Sequence, residues 1–321
     1  RATTFKDYLQ MLKGWMRSKR KLLIVITVLI IIVFVLFGFV IPIFAPYHLK
    51  NGEYRFLYCG TNVKLEKYIG SSSKVVVPKH ILIFPVKEIE PACYEGCSWI
   101  DEVVIPEGIG EISEKAFYDC KNLSKVTFPM DIHTISDGAF FLTNLKEVII
   151  PESVKEIGMG AFGRCYNLEN VVIPSSVEEI AGDAFNQSPW LASMTQEFVV
   201  VGKGSLLKYN GTDSVVEIPE SVYYLGDYAF SRNRDIESTA NIKTIIFPKT
   251  LTKIEEKSLM FESLECVVFQ NDLPNVDIEW IKDAVIQSGI MVVAPKESSL
   301  YENLQLQGIQ CMALEEYDAY Q

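Results

Sequence analysis

Pro151-Glu152-Ser153-Val154-Lys155-Glu156-Ile157-Gly158-Met159-Gly160-Ala161-Phe162-Gly163-Arg164-Cys165-Tyr166-Asn167-Leu168-Glu169-Asn170-Val171-Val172-Ile173-Pro174 is one period of a repeat, and its apolar positions decide the fold. Asn170-Val171-Val172-Ile173 alternates with period two, as a short strand with one inward face does. A second extended piece carries Val154 and Ile157 and ends at Gly158, where a turn with φ > 0 is expected. Ala161 is small where backbones come close, and Phe162 fills the centre of the coil. Pro151 and Pro174 end strands, where a missing N–H does least harm to a ladder.

The same marks recur along the chain. Pro106, Pro129, Pro151, Pro174, Pro219 and Pro248 each close an apolar strand. Ten residues after each comes a small residue followed by a large apolar one: Ala116-Phe117, Ala139-Phe140, Ala161-Phe162, Ala184-Phe185, Ala229-Phe230 and Ser258-Leu259. Successive prolines lie 23, 22, 23, 45 and 29 residues apart. A degenerate earlier copy runs from Pro78 to Ala92-Cys93, with Cys93 standing for the core Phe. One coil buries too few side chains to offset the entropy of ordering its backbone. Stacked coils share an interior and bond to one another. The expected fold is therefore a β-rich (α/β-type) solenoid with one continuous thin core.

The arrangement Leu-x-x-Val-x-Ile-Pro, then Val-x-x-Ile-Gly, then Ala-Phe resembles the BspA-type leucine-rich repeat. Copies include Asn144-Leu145-Lys146-Glu147-Val148-Ile149-Ile150-Pro151 and Ser221-Val222-Tyr223-Tyr224-Leu225-Gly226-Asp227-Tyr228-Ala229-Phe230. The resemblance covers roughly residues 75–295. It implies a curved or superhelical stack with the Leu-x-x-Val-x-Ile strands on one sheet. It also implies a surface protein of bacteria (or of some parasitic protists) linked to adhesion and protein binding.

Outside the repeat, residues 22–44 carry no charge over 23 positions, from Leu22 to Phe44. As a helix this run reaches about 34 Å at ~1.5 Å per residue, enough for a hydrocarbon core about 30 Å thick. Residues 1–44 hold seven basic residues and one acid, with Lys19, Arg20 and Lys21 against the start of the run. The positive-inside rule then puts residues 1–21 in the cytoplasm and the solenoid outside the cell. The run is longer than a signal-peptide core, and no small-x-small cleavage site follows it. Phe5, Leu9, Leu12 and Met16 recur at helical spacing before it, as an interfacial helix or as a lead-in to the span.

The remaining residues, 45–321, hold 23 basic and 40 acidic side chains. Such an acidic body excludes sequence-independent nucleic-acid binding, which needs Lys and Arg to replace counterions. Three scattered histidines (His48, His80, His133) leave little for His-based catalysis, and no phosphate loop, His-Glu-x-x-His or nucleophile elbow is present. No cofactor or metal is expected, and no enzyme activity. Of the seven cysteines, Cys93, Cys120 and Cys165 read as small buried hydrophobes, with a Cys93–Cys97 disulfide as the alternative for that pair.

Two hairpin-like stretches interrupt the pattern. Residues 54–70 and 197–211 each hold two apolar strands around glycines, and each has a Tyr ten residues before a strand-closing Pro (Tyr68 to Pro78, Tyr209 to Pro219). The first reads as an N-terminal cap. The second reads as a hinge, a lateral platform or a tolerated insertion over about 186–216. At the other end Ile290–Pro295 reads as a last strand and Ser298–Gln307 as a short closing helix. The acids Glu315, Glu316 and Asp318 read as a solvated tail. The expected organisation is a juxtamembrane segment 1–21, a span 22–44, a cap 45–74, a solenoid 75–274 and a cap with tail 275–321.

Two rows of residues are candidate surfaces. If Val and Ile of Val-x-Ile face inward, the residue between faces out. That row is Val104, Thr127, Ile149, Val172, Glu217, Ile246 and Val268. An outward apolar stripe is a candidate ligand-binding face, although β-propensity alone also favours Val, Ile and Thr there. The second row, between the paired apolars of Val-x-x-Ile, is Glu88, Glu111, Thr134, Glu156, Glu179, Tyr224 and Lys253. Its four acids form a ladder suited to a basic partner, to weak Ca²⁺ binding, or simply to solvation. The sequence thus predicts a non-catalytic, membrane-anchored extracellular protein that binds a protein or cell-surface ligand. The alternative is the ectodomain of a transmembrane sensor whose output domain precedes Arg1.

Overall fold

The computed structural model describes residues 47–230, 241–259, 263–272 and 289–319. The apolar run 22–44 and the basic residues before it lie outside these. Among the described residues no helix is long and apolar enough to cross a membrane.

Each coil contributes two short strands that pair in parallel with the next coil. The three-residue strand Glu147–Ile149 pairs with Asn170–Val172 in the register Glu147↔Asn170, Val148↔Val171, Ile149↔Val172. The two-residue strands Glu111–Ile112, Thr134–Ile135, Glu156–Ile157 and Glu179–Ile180 form one unbroken ladder. A third line of bonds joins the Ala-Phe segments: the Phe117, Phe140 and Phe162 amides donate to the carbonyls of Ala139, Ala161 and Ala184 at 2.8, 2.7 and 2.7 Å. Every side of the coil is thus tied to its neighbour at the ladder spacing, about 4.8 Å.

That spacing explains the centre of the molecule. The rings of Tyr94, Phe117, Phe140, Phe162 and Phe185 stack in one fully buried column, with centroids 4.6, 5.2, 5.3 and 5.2 Å apart. The three later pairs are within 6° of parallel, so each ring follows the translation of its own backbone. The first position corrects the sequence reading. Cys93 occupies the small position and Tyr94 the core one, because the Tyr94 amide bonds the Ala116 carbonyl as that of Phe117 bonds Ala139. Extra residues after Pro78 had displaced the register by one.

Gly158 is also corrected. Its φ is not positive. The left-handed corners fall just before the small residue, at Ala92, Lys115, Gly138, Gly160 and Tyr228. Gly158 is glycine because a Cβ there would lie 2.8 Å from the Asp137 backbone nitrogen of the preceding coil. Where the repeat shortens to 22 residues, between Pro129 and Pro151, the strand-row sheet divides. Lys74–Val76, Glu102–Val104 and Lys125–Thr127 form one piece, and Glu147–Ile149 with Asn170–Val172 the next.

Among the described residues the interior divides into two large cores, with a small third cluster around Val268 on the outer sheet face. The first runs from Tyr54 to Leu207 and the second from Leu206 to Ile309. Each opens on a hairpin built the same way. In Tyr54–Tyr58 with Val63–Tyr68, and in Phe198–Val201 with Ser205–Tyr209, the second strand pairs in parallel with the next coil. The Tyr68 amide donates to Cys93 O at 2.8 Å and the Tyr209 amide to Ala229 O at 3.2 Å. Tyr68 packs on Tyr94 and Tyr209 on Phe230, with centroids 5.3 and 5.7 Å apart. In both, the glycine two residues on (Gly70, Gly211) lies under the tyrosine hydroxyl, where a Cβ would overlap it. Within residues 186–216 the buried core passes from one cluster to the next. These residues close one stack and open a second.

The closure of the first stack is Trp190, on the short helix Pro189–Ala192 capped by Ser188. It sits edge-on to Phe185 at 4.9 Å. The second stack ends at Met291–Ala294, followed by the helix Ser299–Leu306, whose N-cap Ser298 accepts from the Tyr301 amide at 3.1 Å. The last residues are not a solvated tail. Cys311–Ala313 returns as a strand beside Met291–Ala294, and Leu314–Asp318 forms a short helix. Glu315, Glu316 and Asp318 face solvent while Leu314 and Tyr317 pack inward.

Candidate functional site

The strand row is coherent in the first stack. Val76, Ile149 and Val172 are exposed at 69%, 61% and 56%, Thr127 is exposed and Val104 half-buried. Their neighbours Val75, Val103 and Val148 point into the core, so alternation along each strand holds the apolar outer residues in place. Val76 extends the predicted row by one coil. Its place before Val77-Pro78 was a readable signal, masked by the irregular spacing of that coil.

Beyond the internal hairpin the row changes. Glu217 is exposed, Ile246 half-buried, and Val268 only 2% exposed. Met312, Leu314 and Tyr317 lie over Cys266, Val268 and Val293, with Ile246 at the margin. Val268 therefore corrects the sequence reading: it faces outward from the sheet but not into solvent. Nothing local to Val268 signals this, because its cover is supplied from 311–317.

The second row is not a uniform acidic ladder. Glu88 is paired with Lys64 at 2.5 Å, and Glu179 with Lys253 at 2.7 Å. Lys253 also reaches Glu255 at 2.9 Å and lies 5.4 Å from the centre of the Tyr224 ring. Burial pulls the Lys253 ammonium down, but its hydrogen bonds to Glu179 and Glu255 outweigh this and hold its pKa above the ordinary value. Tyr224 is buried rather than outward, with its hydroxyl 3.2 Å from Glu255.

Glu111 and Glu156 remain, on either side of Thr134. They line a shallow groove with Glu114, Ser136, Asp137 and Gly158. Ser136 Oγ donates to Glu111 at 2.7 Å, and the Met159 amide donates to Asp137 at 2.7 Å. Partial burial, then the charge of Glu179, raises the Glu156 pKa, and Lys253 opposes the rise. Among the described residues no group of three or more His, Cys, Asp or Glu is arranged to hold a metal ion. All seven cysteines are free thiols, Cys93 and Cys97 included. Burial pushes Cys120 up to about 12 and Cys165 and Cys266 to about 11, so these are not reactive thiolates.

The repeats match the family described as BspA type leucine rich repeat region, in six copies over residues 73–197 and 207–279. The break between the two matched stretches is the first strand and turn of the internal hairpin. Among solved structures, the T. pallidum leucine rich repeat protein shares 22% identity, over 77% of this chain and 98% of its own, with a TM-score of 0.45. The pneumococcal vaccine antigen PcpA shares 13%, over 83% and 98%, with a TM-score of 0.41. A leucine rich cell surface protein of Faecalibacterium prausnitzii shares 17%, over 84% and 95%, with a TM-score of 0.37. No curated protein matches the chain. With its repeats matched over more than half its length, this chain belongs to the BspA-type leucine-rich repeat family.

Proposed function

We propose that this is a membrane-anchored recognition protein whose solenoid, outside the cell, binds a protein or surface ligand through the strand row of its first stack. The anchor is the uncharged run 22–44, with its basic flank on the cytoplasmic side. No catalytic role is assigned to any residue. The acidic groove around Glu111 and Glu156 is a secondary, charge-steering surface for the same partner.

One observation carries this reading. The row that is bare at Ile149 and Val172 is covered at Val268 by an apolar edge from the chain's own terminus. The equivalent outer face of a separate sheet therefore accepts a packed apolar partner where one is supplied. Exposed β-branched residues in register on adjacent strands form a flat, rigid strip, which needs little side-chain ordering on binding.

The test is a binding screen of the full chain in nanodiscs against host proteins and glycans, repeated with Ile149→Lys plus Val172→Lys. The folded double variant should lose binding to any partner found. Undiminished binding by that variant would overturn the strand row as the site.

A further inference from the structure

The N-terminal hairpins carry an apolar feature that the solenoid does not use. His80–Ile81 and the start of Phe84–Ile89 form a tight antiparallel pair, with Leu82 and Ile83 at its tip. Leu82 is 86% exposed and Ile83 65%. Leu82 also takes φ +56°, a left-handed conformation that suits glycine or asparagine and strains a leucine. An exposed, strained leucine gains nothing from its own fold. The tip is nevertheless rigid: Ile81 is buried, the Val86 amide donates to Lys79 O at 2.9 Å, and Phe84 packs edge-on to Tyr58 at 4.6 Å.

Strand register fixes where this tip points. Tyr47 pairs with Tyr58, Tyr58 with Val63, and Val63 with Val86. The strands beginning at Tyr47, Val63 and Phe84 all run the same way. Chain preceding Tyr47 therefore leaves the sheet at the same end as chain preceding Val86. Phe44 is three residues before Tyr47, and Ile83 is three residues before Val86. Three residues span at most about 11 Å, so the end of the apolar run and the tip are both tied within that reach of the same sheet edge. Tyr47 and Val86 are three strands apart, about 14 Å across the sheet. The surroundings fit a headgroup layer: Lys79, His80 and Lys87 are exposed within 79–87, a stretch with no acid, in an otherwise acidic body.

We infer that Leu82 and Ile83 form a second membrane contact, inserting into the outer interface of the bilayer beside the anchor and fixing the tilt of the solenoid. This rests on the reading of residues 22–44 as the anchor. Two separate contacts resist rocking in a way that a single one does not. Lys79 and Lys87 would face lipid phosphates, so the contact tightens on an anionic surface.

The test uses the full chain in vesicles of phosphatidylcholine and phosphatidylglycerol. A benzophenone amino acid replaces Leu82, Ile83 or, as the control, Leu306. Leu306 is equally apolar and 84% exposed, but lies in the closing helix of the second stack. Retention in the membrane on alkaline carbonate extraction is scored in parallel. The expected result is retention, with lipid adducts at positions 82 and 83 and background only at 306. Retention without adducts at 82 and 83, or with equal adducts at 306, overturns the second contact and leaves the anchor standing. Release by carbonate overturns both.

Discussion

Ile149 and Val268 hold the same place in their coils, yet one is 61% exposed and the other 2%. Both stacks open on a tyrosine hairpin and fill their centres with aromatic rings. They part company on the outside: the first leaves its strand row bare, and the second folds its own terminus across it. The repeat motif therefore dictates the interior and says nothing about who covers the exterior. Exposure of the row varies from coil to coil, from Ile149 to the covered Val268, and is not set by the repeat.

The sharpest way to break this comparison is to place a lysine at each position. Val268→Lys buries an unpaired ammonium under Met312, Leu314 and Tyr317. It should cost on the order of 5 kcal/mol of unfolding free energy in urea titration. Ile149→Lys should stay within about 0.5 kcal/mol of the parent. Equal costs would show that the bare row has a packed partner too.

Phe140→Ala probes the other shared feature, the column. It opens a void between Phe117 and Phe162 and should cost about 3–5 kcal/mol. Hydrogen exchange should speed up in residues 54–193 more than in 205–319, if the two cores are energetically separate. Uniform acceleration would mean that the division of the interior has no thermodynamic counterpart.

The joint between stacks is the next target. Gly226 lies against Gly182 so closely that a Cβ would sit 2.7 Å from the Gly182 nitrogen and the Ile180 oxygen. Gly226→Ala must move backbone and should cost about 2 kcal/mol in a thermal or urea melt. No loss would mean that the stacks slide past each other freely.

The smallest effect concerns charge. The folded pKa of Glu156 is raised, so its ionised form is favoured more in the unfolded chain. Its penalty is absent below the ordinary carboxylate range and grows as pH rises through the raised value. Glu156→Gln should add a few tenths of a kcal/mol near neutral pH and nothing at low pH, since exposure screens the interaction. A destabilised variant would show that Glu156 is held by a favourable contact instead.

How far the sequence could be read follows from which interactions are local. Ala161-Phe162 and its counterparts repeat at fixed offsets, so the column and both strand lines were legible. Tyr68-Ile69-Gly70 and Tyr209-Asn210-Gly211 were visible as an echo. That the second opens a new stack depends on Tyr209 meeting Phe230, a contact no spacing rule announces. Tyr94 was missed because irregular spacing after Pro78 hides the register. Gly158 was misread because its constraint comes from Asp137 in the preceding coil. In the acidic row, Lys253 reaches back 74 residues to Glu179, beyond any local pattern.

A start signal in mid-chain has a consequence for synthesis. By the time Phe198 leaves the ribosome, Trp190 can already pack on Phe185, and of the buried residues of the first core only Val199 and Leu207 are still to come. The remainder begins on a new template edge at Ser205–Tyr209, with which Tyr224–Leu225 pairs in parallel. Lengthening such a protein by whole sealed blocks limits how much sticky surface any nascent intermediate displays, however long the finished rod becomes.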